Sequence, residues 1–124
     1  MKTKKLKTLV IGASTNPSRQ SYLAVSRLNG LGHDVIAVGA REGEINGVKI
    51  QTDLPQQEDI HTITLYLNAV RQEESIKEYM DSINVQRVIF NPGAENRESL
   101  IRLRSRGILA IEACTMVLLS TGQY

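Results

Sequence analysis

The amino-acid sequence predicts an α/β fold, a doubly wound parallel sheet in a single domain covering residues 1–124. Three observations carry that expectation. Short β-branched runs alternate with stretches whose apolar residues recur at helical spacing, the pattern of a sheet covered by helices. The first strand–helix–strand unit, Lys7 to Val38, fits into about 32 residues, which suits a parallel pair joined by a right-handed crossover. The chain has one Phe, four Tyr and no Trp, so its core must be built from Ile, Leu, Val and Ala, as in strands buried on both faces.

Lys7–Ile11 reads as the first buried strand, ended by Gly12. Beyond the loop Gly12–Ser18 a helix runs to about Gly30. Ala24, Leu28 and Leu31, with Val25 beside them, make its apolar face, and Gly30 and Gly32 end it. Val35–Val38 is the second strand. Gly39–Gly47 reads as a turn-rich loop leading to a short edge strand, Val48–Ile50. Thr62–Leu67 is the next strand and Glu73–Ile83 the next helix, with Ile76, Met80 and Ile83 on its buried face. Arg87–Phe90 is a strand, and Asn96–Arg106 a helix that turns Leu100 and Leu103 inward and is closed by Gly107. Leu109–Glu112 gives the last strand and Thr115–Leu119 a short closing helix. This order describes a Rossmann-like sheet with its first strand near the centre.

Ligands of such sheets bind outside the carboxyl ends of the strands, where the chain order reverses. Four loops reach that edge: Gly12–Ser18, Gly39–Gly43, Asn68–Arg71 and Asn91–Asn96. The first, Gly12-Ala-Ser-Thr-Asn-Pro-Ser-Arg19, leads into a helix amino terminus, whose unpaired N–H groups and positive dipole end favour phosphate. Ser14, Thr15, Asn16 and Ser18 add side-chain donors, and Arg19 adds charge. The same residue types also serve as ordinary helix caps. The dinucleotide fingerprint is absent, because its second and third glycines would fall where Ser14 and Pro17 stand, and no Gly-Lys-Ser/Thr follows. The second strand ends in Gly39-Ala-Arg41 rather than in an acid that would hold a free ribose. Arg41 suits a phosphate on the ribose, as in NADP or coenzyme A, or else it is a solvated loop charge. Arg71 stands near a helix start, where a cation opposes the dipole, and that conflict favours an anion nearby. Asn91 and Asn96 flank the Pro92-Gly93 turn as caps or as ligand hydrogen-bond partners.

Several function classes are disfavoured. The crevice loops hold no nucleophile–base or acid–base pair, so binding without catalysis is expected. Cys114 reads as a small buried hydrophobe, with activation by the following helix as the alternative. Tyr66 reads as core or sheet face. His33 and His61 stand apart, and no Cys/His cluster has metal spacing. The net charge is +2, and Lys2, Lys4, Lys5 and Lys7 form a solvated lead-in without the interleaved aromatics that nucleic-acid binding uses. No apolar run approaches the ~20 residues of a membrane span or the ~7–15 of a signal peptide. A cytoplasmic address is expected.

Val10-Ile-Gly-Ala-Ser14, Gly32-His-Asp-Val35, Ile45-Asn-Gly-Val48, Asn91-Pro-Gly93 and Ala113-Cys114 occur in an order and spacing that resembles the small stand-alone CoA-binding domain proteins. Those are similar to the amino-terminal CoA-binding domain of the succinyl-CoA synthetase α subunit. The resemblance runs from about Lys7 to Cys114. It implies coenzyme A or an acyl-CoA as ligand, with its phosphates and adenosine at Gly12, Ala13, Ser14, Thr15 and Asn16. Arg41 would then meet the adenosine-side phosphates, and Leu67 and Asn68 would pack along the ligand. Relatives carry arginines at that strand end where this chain has Leu67-Asn-Ala69, and Arg71 is the candidate substitute. Arg19, Asn91 and Gly93 complete the expected site. The ligase uses a phosphorylated histidine in a second domain that this sequence does not contain, so ligase activity is not implied. Three readings follow: a CoA-binding module serving as carrier, sensor or subunit of a larger assembly; an NADP-dependent oxidoreductase; and a scaffold that keeps the fold without a ligand. The fold by itself does not choose among them.

Overall fold

The computed structural model describes residues 5–56 and 59–124, so Lys2 and Lys4 of the basic lead-in lie outside the described residues. Twelve elements follow one another along the chain. They are β1 (Thr8–Ile11), α1 (Gln20–Gly30), β2 (Val35–Val38), β3 (Gly43–Ile45), β4 (Val48–Gln51), β5 (Thr62–Leu65), α2 (Ala69–Ser75), α3 (Lys77–Ser82), β6 (Arg87–Phe90), α4 (Arg97–Ser105), β7 (Leu109–Glu112) and α5 (Thr115–Ser120). The strands form one sheet in the order β3-β4-β2-β1-β5-β6-β7. All pairings are parallel except β3 with β4. β1 therefore lies at the centre, with later elements winding away on both sides of it.

Alternation along the strands divides the core into two layers. Leu9 and Ile11 of β1 join Ile63, Leu65, Val88 and Phe90 under Ile76, Met80, Leu100 and Leu103 of the α2–α4 region. Val10, one residue out of phase, joins Ala37, Ile45 and Ile50 under Val25 and Leu28 of α1, with Leu119 of α5 packed alongside. Each fully buried side chain of this size contributes about 1.5–3 kcal/mol of transfer free energy. Both faces of the sheet are thus covered, which is why its central strands read as continuous apolar runs.

The structure departs from the sequence expectations in several places, and β5 ends at Leu65, two residues short of its expected limit. Gly43–Ile45, read as loop, is an antiparallel strand, so Val48–Gln51 lies second in the sheet rather than at its edge. The turn between them is Asn46-Gly47, with φ 46° and 88°, the left-handed pair that a two-residue hairpin requires. The helix expected over Glu73–Ile83 begins earlier, at Ala69, and is interrupted at Ile76, where φ is −129°. Leu31 lies beyond the last turn of α1 and is 40% exposed, because the chain leaves the helix through Gly32 (φ 88°). There the His33 N–H donates to the Leu28 carbonyl and the Gly32 N–H to that of Asn29, a six-to-one and five-to-two cap.

The amino ends of the strands hold a polar cluster that joins the residues leading into β1 to Tyr124. The Leu6 N–H donates to His33 Nδ1 at 2.9 Å, the Tyr124 hydroxyl pairs with Thr8 Oγ1 at 2.6 Å, and Arg87 lies 4.4 Å over the Tyr124 ring. Burial, chiefly, and the charges of Lys5 and Arg87 hold the His33 imidazole below its ordinary range. A group with a depressed folded pKa contributes stability that is complete above its unfolded value and is lost as pH falls through the folded one. Urea midpoints are therefore expected to fall as pH drops below about 6.5, the ordinary imidazole value, and His33→Gln should flatten that slope. An identical slope in the variant would take His33 out of the account.

Candidate functional site

The carboxyl ends of β2, β1, β5 and β6, neighbours in that order, open onto a cleft of about 960 Å³. Its central wall is the loop from Gly12 to Arg19. Gly12 has φ 99°, and a Cβ there would lie 3.1 Å from the Tyr66 backbone. The N–H groups of Gly12 and Ala13 both donate to the Val38 carbonyl at 2.9 Å. These two amides, expected from sequence to cradle phosphate, are instead engaged in fastening the loop to β2. The next two, Ser14 N–H and Thr15 N–H, donate to no described residue. The loop is braced internally: Ser14 Oγ accepts from Asn16 N–H at 3.1 Å, and Asn16 Oδ1 accepts from the Ser18 N–H and hydroxyl at 3.0 and 2.8 Å.

Neither Asn16 nor Ser18 caps α1. The cap position is Arg19, which makes no side-chain capping bond, and the first turn carries no acid. The first helical acceptor is the Arg19 carbonyl, reached by Tyr22 N–H at 3.1 Å, so the Gln20 and Ser21 amides precede the hydrogen-bonded ladder. An eleven-residue helix consequently presents an uncompensated positive end to the cleft.

The β2 side is formed by Ala40, Arg41 and Glu42. A Cβ at Gly39 would run into the Ala13 carbonyl oxygen, and one at Gly43 would lie 2.5 Å from Thr15 Cγ2. Only glycines on either side of Arg41 allow this segment to lie directly on the central loop. On the β5 side stand Tyr66, Leu67, Asn68 and Arg71. Asn68 Oδ1 accepts from Arg71 N–H at 2.9 Å, capping α2 and holding Arg71 in the first helical turn. Pro92 and Gly93 close the β6 side.

The cleft thus brings together Gly12, Ala13, Ser14, Thr15, Asn16, Arg19, Arg41, Leu67, Asn68, Arg71 and Gly93. Asn91 is not among its lining. It is 2% exposed, donates to Thr64 Oγ1 (2.7 Å) and the Leu65 carbonyl (2.9 Å), and accepts from Thr115 N–H (2.8 Å). Its amide ties β5 to the start of α5. Sequence reasoning missed Gln20 and Ser21, whose contribution is position in the first turn rather than side-chain type. It also gave no place to Glu42, Tyr66 or Pro92.

Charge is the cleft's main chemical feature. Arg19, Arg41 and Arg71 are exposed and, among the described residues, their guanidinium groups make no ion pair or hydrogen bond. By contrast Lys7, Lys77 and Arg102 are all paired with carboxylates. The cleft's single carboxylate is Glu42. Burial pushes the Tyr66 phenol up to about 12, which keeps it protonated at neutral pH. Cys114 is half-buried ahead of α5 and does not line the cleft. No group of three His, Cys, Asp or Glu able to hold a metal ion occurs among the described residues, and none of their helices is long and apolar enough to cross a membrane.

Comparison with known proteins agrees with this fold. No curated protein matches the sequence. A crystal structure of an uncharacterized protein is 41% identical, with a TM-score of 0.92 over 98% of this chain and 100% of that one. A hypothetical protein from Pyrococcus horikoshii OT3 shares the fold at 22% identity, with a TM-score of 0.80 over 95% of this chain and 84% of its own. A conserved hypothetical protein from Pyrococcus furiosus is 25% identical, with a TM-score of 0.72 over 90% and 97% of the two chains. The family model described as a CoA binding domain matches residues 7–120, from the lead-in of β1 to the last residue of α5. The chain belongs to the CoA binding domain family.

Proposed function

We propose that the protein binds coenzyme A or an acyl-CoA in this cleft and performs no chemistry on it. The observation that carries the proposal is three guanidinium groups without anion partners around an uncapped helix amino terminus. An anion-free cleft leaves that charge uncompensated, whereas a ligand bearing a diphosphate and a further phosphate complements it. The diphosphate lies over the first turn of α1, taking the Ser14, Thr15, Gln20 and Ser21 amides and Arg19. The 3′-phosphate meets Arg41 at the β2 end. Arg71 sits on the far side of the diphosphate, in place of the arginines that relatives carry at the preceding positions. The pantetheine arm follows the strand order across Leu67 and Asn68 toward Pro92 and Gly93.

The absence of chemistry rests on the same lining. Among the described lining residues the one carboxylate, Glu42, has no histidine, cysteine or second carboxylate to work with, and the Tyr66 phenol is held protonated. Such a module serves as carrier, sensor or subunit. NADP also presents a ribose phosphate to Arg41 and is the second reading, although Ser14 and Pro17 stand where its fingerprint needs glycine. Native mass spectrometry of freshly purified protein should show a fraction carrying the mass of CoA or an acyl-CoA. A co-purified nicotinamide nucleotide would instead support the second reading.

A further inference from the structure

Behind the β5 and β6 sides of the cleft lies a buried pair of side-chain amides that the binding site itself does not use. Gln72 is 2% exposed and Asn96 5%. Gln72 Nε2 donates to the Leu67 carbonyl at 2.8 Å and to the Ala94 carbonyl at 2.6 Å. Gln72 Oε1 accepts from Asn96 Nδ2 at 3.0 Å, and Asn96 Oδ1 accepts from Ser99 N–H at 3.1 Å, capping α4. Leu67 lines the cleft on one side, and Ala94 directly follows Gly93, which lines it on the other. One side chain therefore spans the two loops that face each other across this half of the site. Among the described residues no side-chain hydrogen bond links the Gly12–Asn16 loop to the β2 side, which is held by the Gly12 and Ala13 N–H bonds to the Val38 carbonyl and by close packing at Gly39 and Gly43.

We propose that Gln72, oriented by Asn96, is a positioning residue that sets the separation of the Leu67 and Gly93 walls and so selects for the pantetheine arm. The proposal rests on the CoA reading for the identity of the arm, while the linkage of the two loops stands on the hydrogen bonds alone. Neighbouring strands lie about 4.8 Å apart, so a ligand crossing from β2 to β6 spans three intervals, or about 14 Å. Its nucleotide half occupies the β2 and β1 ends and its arm the β5 and β6 ends. Gln72 touches only the latter. A substitution that removes the amide leaves the buried Ala94 carbonyl, the part-buried Leu67 carbonyl and Asn96 Nδ2 without this partner and frees the loops to separate.

The test compares CoA with adenosine 3′,5′-bisphosphate, the nucleotide end without the arm, by isothermal titration against wild type, Gln72→Leu and Asn96→Ser. Gln72→Leu should weaken CoA about tenfold and change the bisphosphate less than about twofold, since loss of preorganisation affects only the portion of ligand held there. Asn96→Ser keeps a capping hydroxyl for Ser99 N–H and removes only the contact to Gln72, so it should fold normally and show a smaller loss in the same direction. Equal weakening of both ligands would overturn the positioning role. Hydrogen exchange on the same variants judges the linkage apart from ligand identity. Amides of residues 67–71 and 93–96 should exchange faster together in Gln72→Leu, with those of 12–21 unchanged. Unaltered exchange in those two loops, or acceleration spread evenly over the sheet, would overturn the inference even if CoA binds. Failure of wild type to bind CoA alongside the paired exchange response would remove the CoA reading and leave the linkage standing.

Discussion

Gly12→Val is expected to abolish measurable CoA binding and to lower stability by about 2–6 kcal/mol, the sum of backbone strain at positive φ and overpacking. The residue holds φ 99°, where a β-branched side chain is most disfavoured, and its Cβ would stand 3.1 Å from the Tyr66 carbonyl carbon and Cβ. Gly12 N–H and Ala13 N–H also share the Val38 carbonyl, so a shift at Gly12 releases the loop from β2. The loss of binding therefore arises from a displaced loop more than from a side chain in the ligand's path. Urea unfolding and titration on one preparation separate the two effects. A variant that unfolds at the wild-type midpoint and still binds CoA would show that the turn tolerates the change.

Arg41→Ala is expected to weaken CoA about ten- to a hundredfold, because one hydrogen-bonded contact to a charged group is worth about 1.5–3 kcal/mol and 1.4 kcal/mol is one decade. The effect should be specific. Arg41 is exposed and has no intramolecular partner among the described residues, so its removal breaks no contact within the fold. Thermal stability should stay near wild type, within the usual ~0.5 kcal/mol of a surface change. Raising the salt concentration should shrink the difference between the two proteins, as expected for a screened contact. A fall in stability matching the fall in affinity would mark Arg41 as structural.

The elements most legible in the sequence were those whose residues carry their own boundary signals. β2, β6 and β7 match their expected limits, β2 because Gly39 stops its β-branched run and β6 because the Asn91-Pro92-Gly93 turn follows it. β3 escaped because Gly-Glu-Ile has no strand character of its own and forms only against β4. The hairpin signal was present in Asn46-Gly47, whose left-handed φ values make the two-residue turn. The start of α2 does not stand out in the sequence, because Asn68 suits a ligand contact as well as a cap; its side chain caps the helix. Periodicity put Leu31 on the buried face of α1, but the chain had already turned at Gly32.

The site shows the same division. Loop positions followed from strand order alone, so eleven of the twelve expected site residues line the cleft and Asn91 does not. What Asn91 does depends on Thr64 and Thr115, which lie 27 and 24 positions away and whose proximity no local pattern encodes. Likewise, nothing in Gly12-Ala13 reveals that both amides face the Val38 carbonyl. The Gln72–Asn96 pair was invisible for the same reason, since an amphipathic helix does not advertise a buried amide.

Titration of wild type and Arg41→Ala with CoA, dephospho-CoA and NADP tests the account most directly. Wild type should bind CoA more tightly than dephospho-CoA by about tenfold or more, the worth of the 3′-phosphate contact, and more tightly than NADP. Arg41→Ala should bind CoA and dephospho-CoA alike. Tighter binding of NADP than of CoA by wild type, or no binding of CoA at all, would contradict the assignment of this cleft.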